Sequence, residues 1–339
     1  MKKYYQNTVL FLLSLPFLLA GCTNKPAQKV AFGGNIQGTY YKVVYYDSAG
    51  RDFRRQIDSL LHGFDKTASL WVENSLINRV NAGDTSAVLN DDFIRLFQLS
   101  KKIYHQTRGA FNPAIGALVN VWGFGPERKG EVDTALIDSL LVLSRFDEVT
   151  IDKKRKKIFI PAGLKFDFNA VAQGYSVDLV GNYLHGRGVD NFLIDIGGEL
   201  LAKGRKPDGN PWRVGVESPV ENAGYGDRLQ TIVTLSDKAI ATSGSYRKFY
   251  VQDGKKYSHT IDPRTGFPVR HNLLSASVVA EDCATADALA TALMVMGKEK
   301  AIAFSRRHPA FGIYLITAGK NGFDTYANPV FDSLIVNGD

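Results

Sequence analysis

Phe53, Ile57, Leu60, Leu61 and Phe64 recur at intervals of three and four, the spacing that lines one face of an amphipathic helix. Phe93, Leu96, Phe97 and Tyr104 repeat the pattern behind Asn90–Asp92, whose side chains suit a helix N-terminus, and Arg108-Gly109 stops it. Between these two, Asn74 and Ser75 can cap a short helix that runs through Asn81 and ends at Gly83. Pro113 fits the first turn of another short helix, and Thr134 to Leu143 predicts one more. Val171, Tyr175, Val177, Leu179 and Leu184 again fall at helical spacing. Asp282 and Gly297 bracket an alanine-rich helix, followed by a further one over Lys298–His308.

Strand-like runs alternate with these helices. TYYKVVYY (Thr39 to Tyr46) opens the globule, and Leu164 to Phe168 reads as a strand. FLIDI and ELLAK pivot on Gly197-Gly198. Trp212 to Val216, Gln230 to Leu235, Ala239 to Thr242 and Tyr246 to Gln252 continue the sheet, LLSASVVA follows, and FGIYLIT closes it. Strand pairs joined by short turns outnumber strand–helix–strand units. The expected class is therefore α+β with a largely antiparallel sheet and packed helices, in one integrated unit.

The 339 residues are 45% hydrophobic and 22% charged, values that allow a sizeable core. The formal charge of +7 is partly one run, Lys153 to Lys157, between VTID and KIFI, which reads as the exposed tip of a hairpin. No motif that reads nucleic acid accompanies it, so an acidic membrane surface or an anionic substrate accounts better for the excess. Lys2 and Lys3 precede an apolar run from Val9 to Ala20 that is too short to span a bilayer and typical of a secretory signal. It ends Leu19-Ala20-Gly21-Cys22, the pattern of a lipobox, in which Cys22 is lipidated. The expected layout is a signal peptide over residues 1–21, a tether over 22–34 and one domain over 35–339. Cys283, the other cysteine, reads as a small core residue, so no intramolecular disulfide is expected.

Two stretches carry candidate chemistry. Thr242-Ser243-Gly244 reads either as a β-turn or as a concavity of hydroxyl and N–H donors suited to phosphate oxygens. Close behind come His259, a possible base, the carboxylate of Asp262 and the planar cation of Arg264, in a segment that is also ordinary turn chemistry. In the alanine-rich helix, Asp287 and Thr291 are four apart and stack on one face. As hard oxygen donors they suit Mg²⁺; the alternative is local helix chemistry, with Thr291 bonding back to its own helix. The aromatic loop Trp122 to Pro126 either seals a core edge or walls a pocket for a flat ring. There is no G-x-G-x-x-G, Walker, H-E-x-x-H or G-x-S-x-G motif.

In order along the chain, Gln37-Gly38-Thr39-Tyr40, Ser69 to Asn81, GAFNPAIGALVNVWGFGP, FNAVAQGYSVD, IDIGGEL, the TSGSYR and HTIDPRTG pair, and ATADALATALMVMG resemble the ApbE-type flavin transferases. The resemblance spans essentially the whole mature chain. It implies FAD as substrate and Mg²⁺ held by Asp287, Thr291 and the backbone carbonyl of Ala170. It implies flavin and adenine contacts along Gln37, Trp71, Ala110, Phe111, Asn112, Asp167, Gln173 and the backbone of Ile261. Trp71 stands where tyrosine is common in the family, Asn112 where Asp is common, and Gln173 where Lys or Glu is common. The implied reaction transfers FMN to a threonine hydroxyl of an acceptor protein, with AMP released, and the implied acceptors are subunits of membrane redox complexes. His259 is the candidate base, and Asp262 either orients it or acts as base itself. Arg264 or the Thr242–Gly244 donors would stabilise phosphoryl oxygens. The expected location is a bacterial cell membrane, with the lipid-anchored protein facing the periplasm. Hydrolysis of FAD to FMN and AMP, or flavin binding without turnover by a lipid-anchored protein, are the alternatives.

Overall fold

A computed structural model describes residues 26–126, 134–220, 228–245, 249–252, 255–320 and 322–336. The leader, Cys22 and Tyr246 lie outside the described residues. In chain order the first half holds β1 (Gln28–Ile36), β2 (Thr39–Asp47), α1 (Arg54–Ala68), α2 (Leu76–Asn81), α3 (Asp91–Gln106), α4 (Gly116–Val121) and α5 (Ile137–Val142). Then come β3 (Thr150–Asp152), β4 (Lys157–Phe159), α6 (Ala172–Gly186), β5 (Phe192–Ile196), β6 (Glu199–Lys203), β7 (Trp212–Glu217) and β8 (Leu229–Leu235). The chain continues through β9 (Lys238–Gly244), β10 (Phe249–Gln252), β11 (Lys255–Ser258), β12 (Leu273–Ala280), α7 (Cys283–Met296), α8 (Lys298–Arg307), β13 (Gly312–Gly319), β14 (Gly322–Ala327) and α9 (Pro329–Asp332). None of the described helices is long and apolar enough to cross a membrane.

Eight strands form one antiparallel sheet in the order β1-β2-β5-β6-β9-β12-β13-β14. Toward the β1 edge, Tyr41, Val43, Tyr45, Ile194 and Ile196 pack on Ile57 and Leu61 of α1 and Val177, Val180 and Leu184 of α6. Farther along, Ala241, Ala276, Val278, Ile313 and Leu315 pack under α7, which is mostly apolar and almost wholly buried. The opposite face, through Ile240, Val279, Tyr314 and Ile316, is covered by the paired strands β7 and β8 and by Phe331 of α9. The capping residues fall as the sequence predicts: Ser75, Asn90 and Asp282 each accept the N–H three residues on.

Several expectations are corrected. The stretch read as tether is strand from Gln28 onward, because an edge strand needs only Val30, Phe32 and Ile36 turned inward. Its Gly33-Gly34 pair, which resembles a linker, makes room for Tyr41: a Cβ on Gly33 would lie 2.5 Å from the Tyr41 carbonyl oxygen. Leu164 to Phe168 is extended but is not a strand. Its backbone is satisfied piecemeal, Phe166 by both ends of the Asn81 amide and Asp167 by the Pro113 carbonyl. The helix expected at Pro113 begins at Gly116. Neither β7–β8 nor β10–β11 joins the main sheet. The basic run is the tip of the β3–β4 hairpin, as expected.

Candidate active site

The first two turns of α6 organise the site. Gly174 donates its N–H to Oδ2 of Asp287 at 3.0 Å, and this close approach of α6 to α7 requires glycine. A Cβ at Gly174 would lie 2.5 Å from the Cys283 carbonyl oxygen and 2.8 Å from Cβ of Asp287. Gln173 donates to the Ile196 carbonyl at 3.1 Å, which ties α6 to the β5–β6 turn. Ser176 Oγ accepts the Gln37 amide at 2.9 Å, and Gln37 also donates to Asp65 at 3.0 Å. With both its donors directed inward, Gln37 has its carbonyl oxygen left to accept from a ligand. Asp178, one turn farther on, accepts the Cys283 and Ala284 N–H groups, both at 2.8 Å. A residue of α6 thus caps α7 and fixes how far along its axis the two helices meet.

Asp287 lies on the second turn of α7, 8% exposed. Burial pushes its carboxyl up to about 7 from an ordinary 3.8, against the pull of the Gly174 hydrogen bond. Its Oδ1 has no hydrogen-bond partner among the described residues. Thr291 Oγ1, one turn on along the same face, lies 3.1 Å from Ser243 Oγ on β9. Val171 and Ala172 both donate to the Phe168 carbonyl, at 2.9 and 2.8 Å, turning the chain at Ala170 just before α6 begins. A desolvated carboxylate with an oxygen to spare, one helical turn from a hydroxyl pair, fits a small divalent cation, which would offset the cost of the buried charge.

Ala110 and Phe111 are buried and position Asn112, whose amide donates to the Ser144 carbonyl at 2.9 Å and accepts from Ala114 at 2.8 Å. Asn112 therefore holds the loop that receives Asp167, whose N–H reaches the Pro113 carbonyl at 2.7 Å. Burial raises the Asp167 carboxyl above its usual range, although it accepts the Asn169 N–H at 2.7 Å. Trp71 is 61% exposed, on a loop pinned by Asn78, which donates to the carbonyls of Leu70 and Val72 at 3.0 and 2.9 Å. A large aromatic face left toward solvent by a pinned loop can stack on a planar ring.

His259 follows β11 on a hairpin whose arms are joined by the Ile261–Pro268 bridge and by the Val269 N–H donating to the Thr260 carbonyl at 3.0 Å. The tip is the turn Asp262 to Gly266. Arg264 grips Asp262 through both oxygens, at 2.8 and 2.7 Å, and Asp262 also accepts the Arg264 N–H at 2.9 Å. The outgoing arm ends at His271, whose Nε2 meets the Met294 carbonyl of α7 at 2.7 Å. Met294 is seven residues past Asp287, about 10 Å along a helix axis, so the His259 hairpin is anchored on the helix that bears Asp287 and Thr291.

Thr242-Ser243-Gly244 is neither a turn nor a convergent donor cluster; it is the end of β9, paired with Ser277, Ala276 and Ser275 of β12. Strand alternation sends Ser243 toward α7 and Thr242 to the other face, where it meets Ser277 at 2.8 Å. Trp122 is 4% exposed, so the aromatic loop seals a core edge.

The ApbE family profile matches residues 37–315. The FAD:protein FMN transferase of Vibrio cholerae is 34% identical over 334 residues, covering 96% of this chain and 98% of its own. That of Escherichia coli K12 is 29% identical over 343 residues, covering 96% and 97%. The crystal structure of the Pseudomonas stutzeri flavinyl transferase ApbE superposes with a TM-score of 0.82 at 33% identity, covering 93% of this chain and 99% of that one. The chain belongs to the ApbE family.

In this ApbE-family chain the expected residues fall into linked groups. Gln37 and Gln173 are tied to the first turns of α6, the α6 residue Gly174 bonds Asp287 of α7, Thr291 one turn on meets Ser243, and Ala170 lies two residues before α6. Ala110–Asn112 lies with Asp167, and Ile261, Asp262 and Arg264 share the His259 hairpin. Thr242 is not brought to this side of the sheet. Sequence reasoning left Ser176, Asp178 and Asn78 without roles, although all three sit inside the stretches that carry the resemblance. A buried polar residue at helical spacing beside a Gly would have been the signal for Ser176 and Asp178.

Proposed function

We propose that this chain transfers the FMN half of FAD to a threonine hydroxyl of an acceptor protein. The supporting observation is the α6–α7 junction, where Gly174 holds one oxygen of a buried carboxylate and leaves the other without a partner among the described residues, one helical turn before Thr291 and its Ser243 contact. Asp287, Thr291 and the Ala170 carbonyl would hold Mg²⁺ there, which when bound supplies charge neutralisation at the diphosphate. Trp71 stacks on a ring of the dinucleotide, and Gln37 accepts from a ligand N–H. The acceptor hydroxyl oxygen forms a bond to the phosphorus on the FMN side as the bond to the AMP oxygen breaks in line. His259 takes the hydroxyl proton; the Asp262 carboxylate, already committed to Arg264, is the weaker base and keeps the hairpin closed. AMP departs and FMN remains joined to the acceptor through a phosphodiester. The apolar leader and Cys22 support an enzyme lipid-anchored to a bacterial cell membrane and facing the periplasm, where acceptor subunits of membrane redox complexes would be reached.

The test measures AMP release from FAD with Mg²⁺, with and without a threonine-bearing acceptor domain. Acceptor-dependent AMP is expected, and acceptor-independent AMP at the same rate would make the chain an FAD pyrophosphatase instead. Asp287→Ala should abolish turnover with the fold retained, and His259→Ala should lower transfer while FAD still binds.

A further inference from the structure

Trp122 donates its indole N–H to the carbonyl of Gly266 at 2.7 Å, across 144 residues of chain. The indole is carried at the end of α4, whose first residue Gly116 donates to the Lys165 carbonyl at 2.9 Å, so its mount is the body that also carries Asp167. Gly266 closes a tight turn in which the Asp262 carbonyl accepts from Thr265 at 3.2 Å and from Gly266 at 2.8 Å. Its φ of +77° and its packing leave no room for a side chain, since a Cβ there would lie 2.5 Å from Cγ2 of Ile137. Phe267 meets the indole edge-on at 5.7 Å. Two residues past Trp122, Phe124 meets the His259 imidazole edge-on at 6.2 Å. One three-residue stretch therefore touches the hairpin at its incoming arm, through His259, and at its tip, through Gly266.

We propose that Trp122 and Phe124 form a latch that sets where His259 stands, and are positioning residues for the transfer reaction. The inference rests on His259 being the proton acceptor. Leu118, Val121, Trp122, Ile137 and Ile261 make a small apolar cluster separate from the main core. Loosening it frees the hairpin while the sheet and α7 keep their own packing. A hairpin shifted by an ångström moves the His259 imidazole out of line with the acceptor hydroxyl proton and leaves the α6–α7 junction unchanged.

The experiment is a double-mutant cycle on the full chain with FAD, Mg²⁺ and acceptor, following FMN transfer and thermal midpoint together. Trp122→Phe keeps a ring and loses the N–H. It should lower kcat about tenfold or more with the KM for FAD within about twofold. In the His259→Ala background the same change should cost less than about twofold, because the group it positions is gone. Phe124→Leu, which keeps apolar bulk in the cluster, should repeat the result and stands in if Trp122→Phe does not fold. A wild-type rate in both single latch variants, or an undiminished loss on top of His259→Ala, overturns the latch alone. A wild-type rate in His259→Ala overturns the assignment of the base and the latch with it.

Discussion

Gly174→Ala sets a small stability effect against a large catalytic one. The added Cβ would stand 2.5 Å from the Cys283 carbonyl oxygen and 2.8 Å from the Asp287 Cβ, neither of which is the far end of a flexible side chain. Ordinary contact begins at 3.4 Å, so α6 and α7 must part by 3.4 − 2.5, about 0.9 Å, at their closest point. Overpacking of this kind costs about 1–3 kcal/mol. Replacing glycine within a helix returns up to about 1 kcal/mol. The net loss is about 0–3 kcal/mol, a fall in Tm of a few degrees for a chain of this size. The catalytic effect is larger, because the separation pulls the Gly174 N–H from Asp287 and moves the carboxylate relative to Ala170 and Gln173. A displacement near an ångström in such a wall costs on the order of 100-fold in rate. Gly186→Ala, at the far end of the same helix with open space around it, is the control and should keep full activity. The assay is acceptor flavinylation against time, paired with thermal scans of both variants. A Gly174→Ala protein with the wild-type rate would refute the reasoning that this contact sets the site.

Burial raises Asp178 to about 7, and raises Asp167 and Asp195 above the ordinary carboxylate value. Groups raised in the folded state give stability below about pH 4 that is lost as pH climbs through their folded values. Thermal scans without divalent cation should thus show a higher Tm at pH 5 than at pH 7.5, and Asp178→Asn should shrink the difference. Trp71→Ala should weaken FAD binding about tenfold, from the loss of one stacking face, and leave Tm unchanged because the side chain is 61% exposed. Chelation with EDTA should abolish transfer and lower Tm, and restoring Mg²⁺ should recover both; a chelated protein that still transfers FMN would exclude the Asp287–Thr291 cation.

Helical spacing and capping residues made most helices legible, because an amphipathic stripe and a Ser, Asn or Asp at its start are local signals. The main sheet was legible as antiparallel because strand pairs joined by short turns outnumber strand–helix–strand units. The edge strand β1 was not, since its pairing partner Tyr41 supplies the bulk that Gly33 and Gly34 lack. Phe166 and Phe168 made an extended stretch look like a strand, yet its hydrogen bonds go to Asn81 and Pro113, which no local pattern announces. In the site, four-residue spacing put Asp287 and Thr291 on one face, but spacing left local helix chemistry as an alternative and only the family resemblance made them a candidate cation pair. The donors Thr242 to Gly244 looked convergent in one dimension and were separated by strand pleat. Asp178 capping a helix that starts 105 residues later, and Trp122 reaching Gly266, are long-range contacts that depend on how α4, α6 and α7 pack.

The central claim is tested most directly by intact-mass measurement of a candidate acceptor after incubation with this chain, FAD and Mg²⁺, with AMP counted in the same tube. The account predicts that the acceptor gains the mass of one FMN less water, on a threonine, with one AMP per modified acceptor. AMP accumulating while the acceptor mass stays unchanged would contradict it.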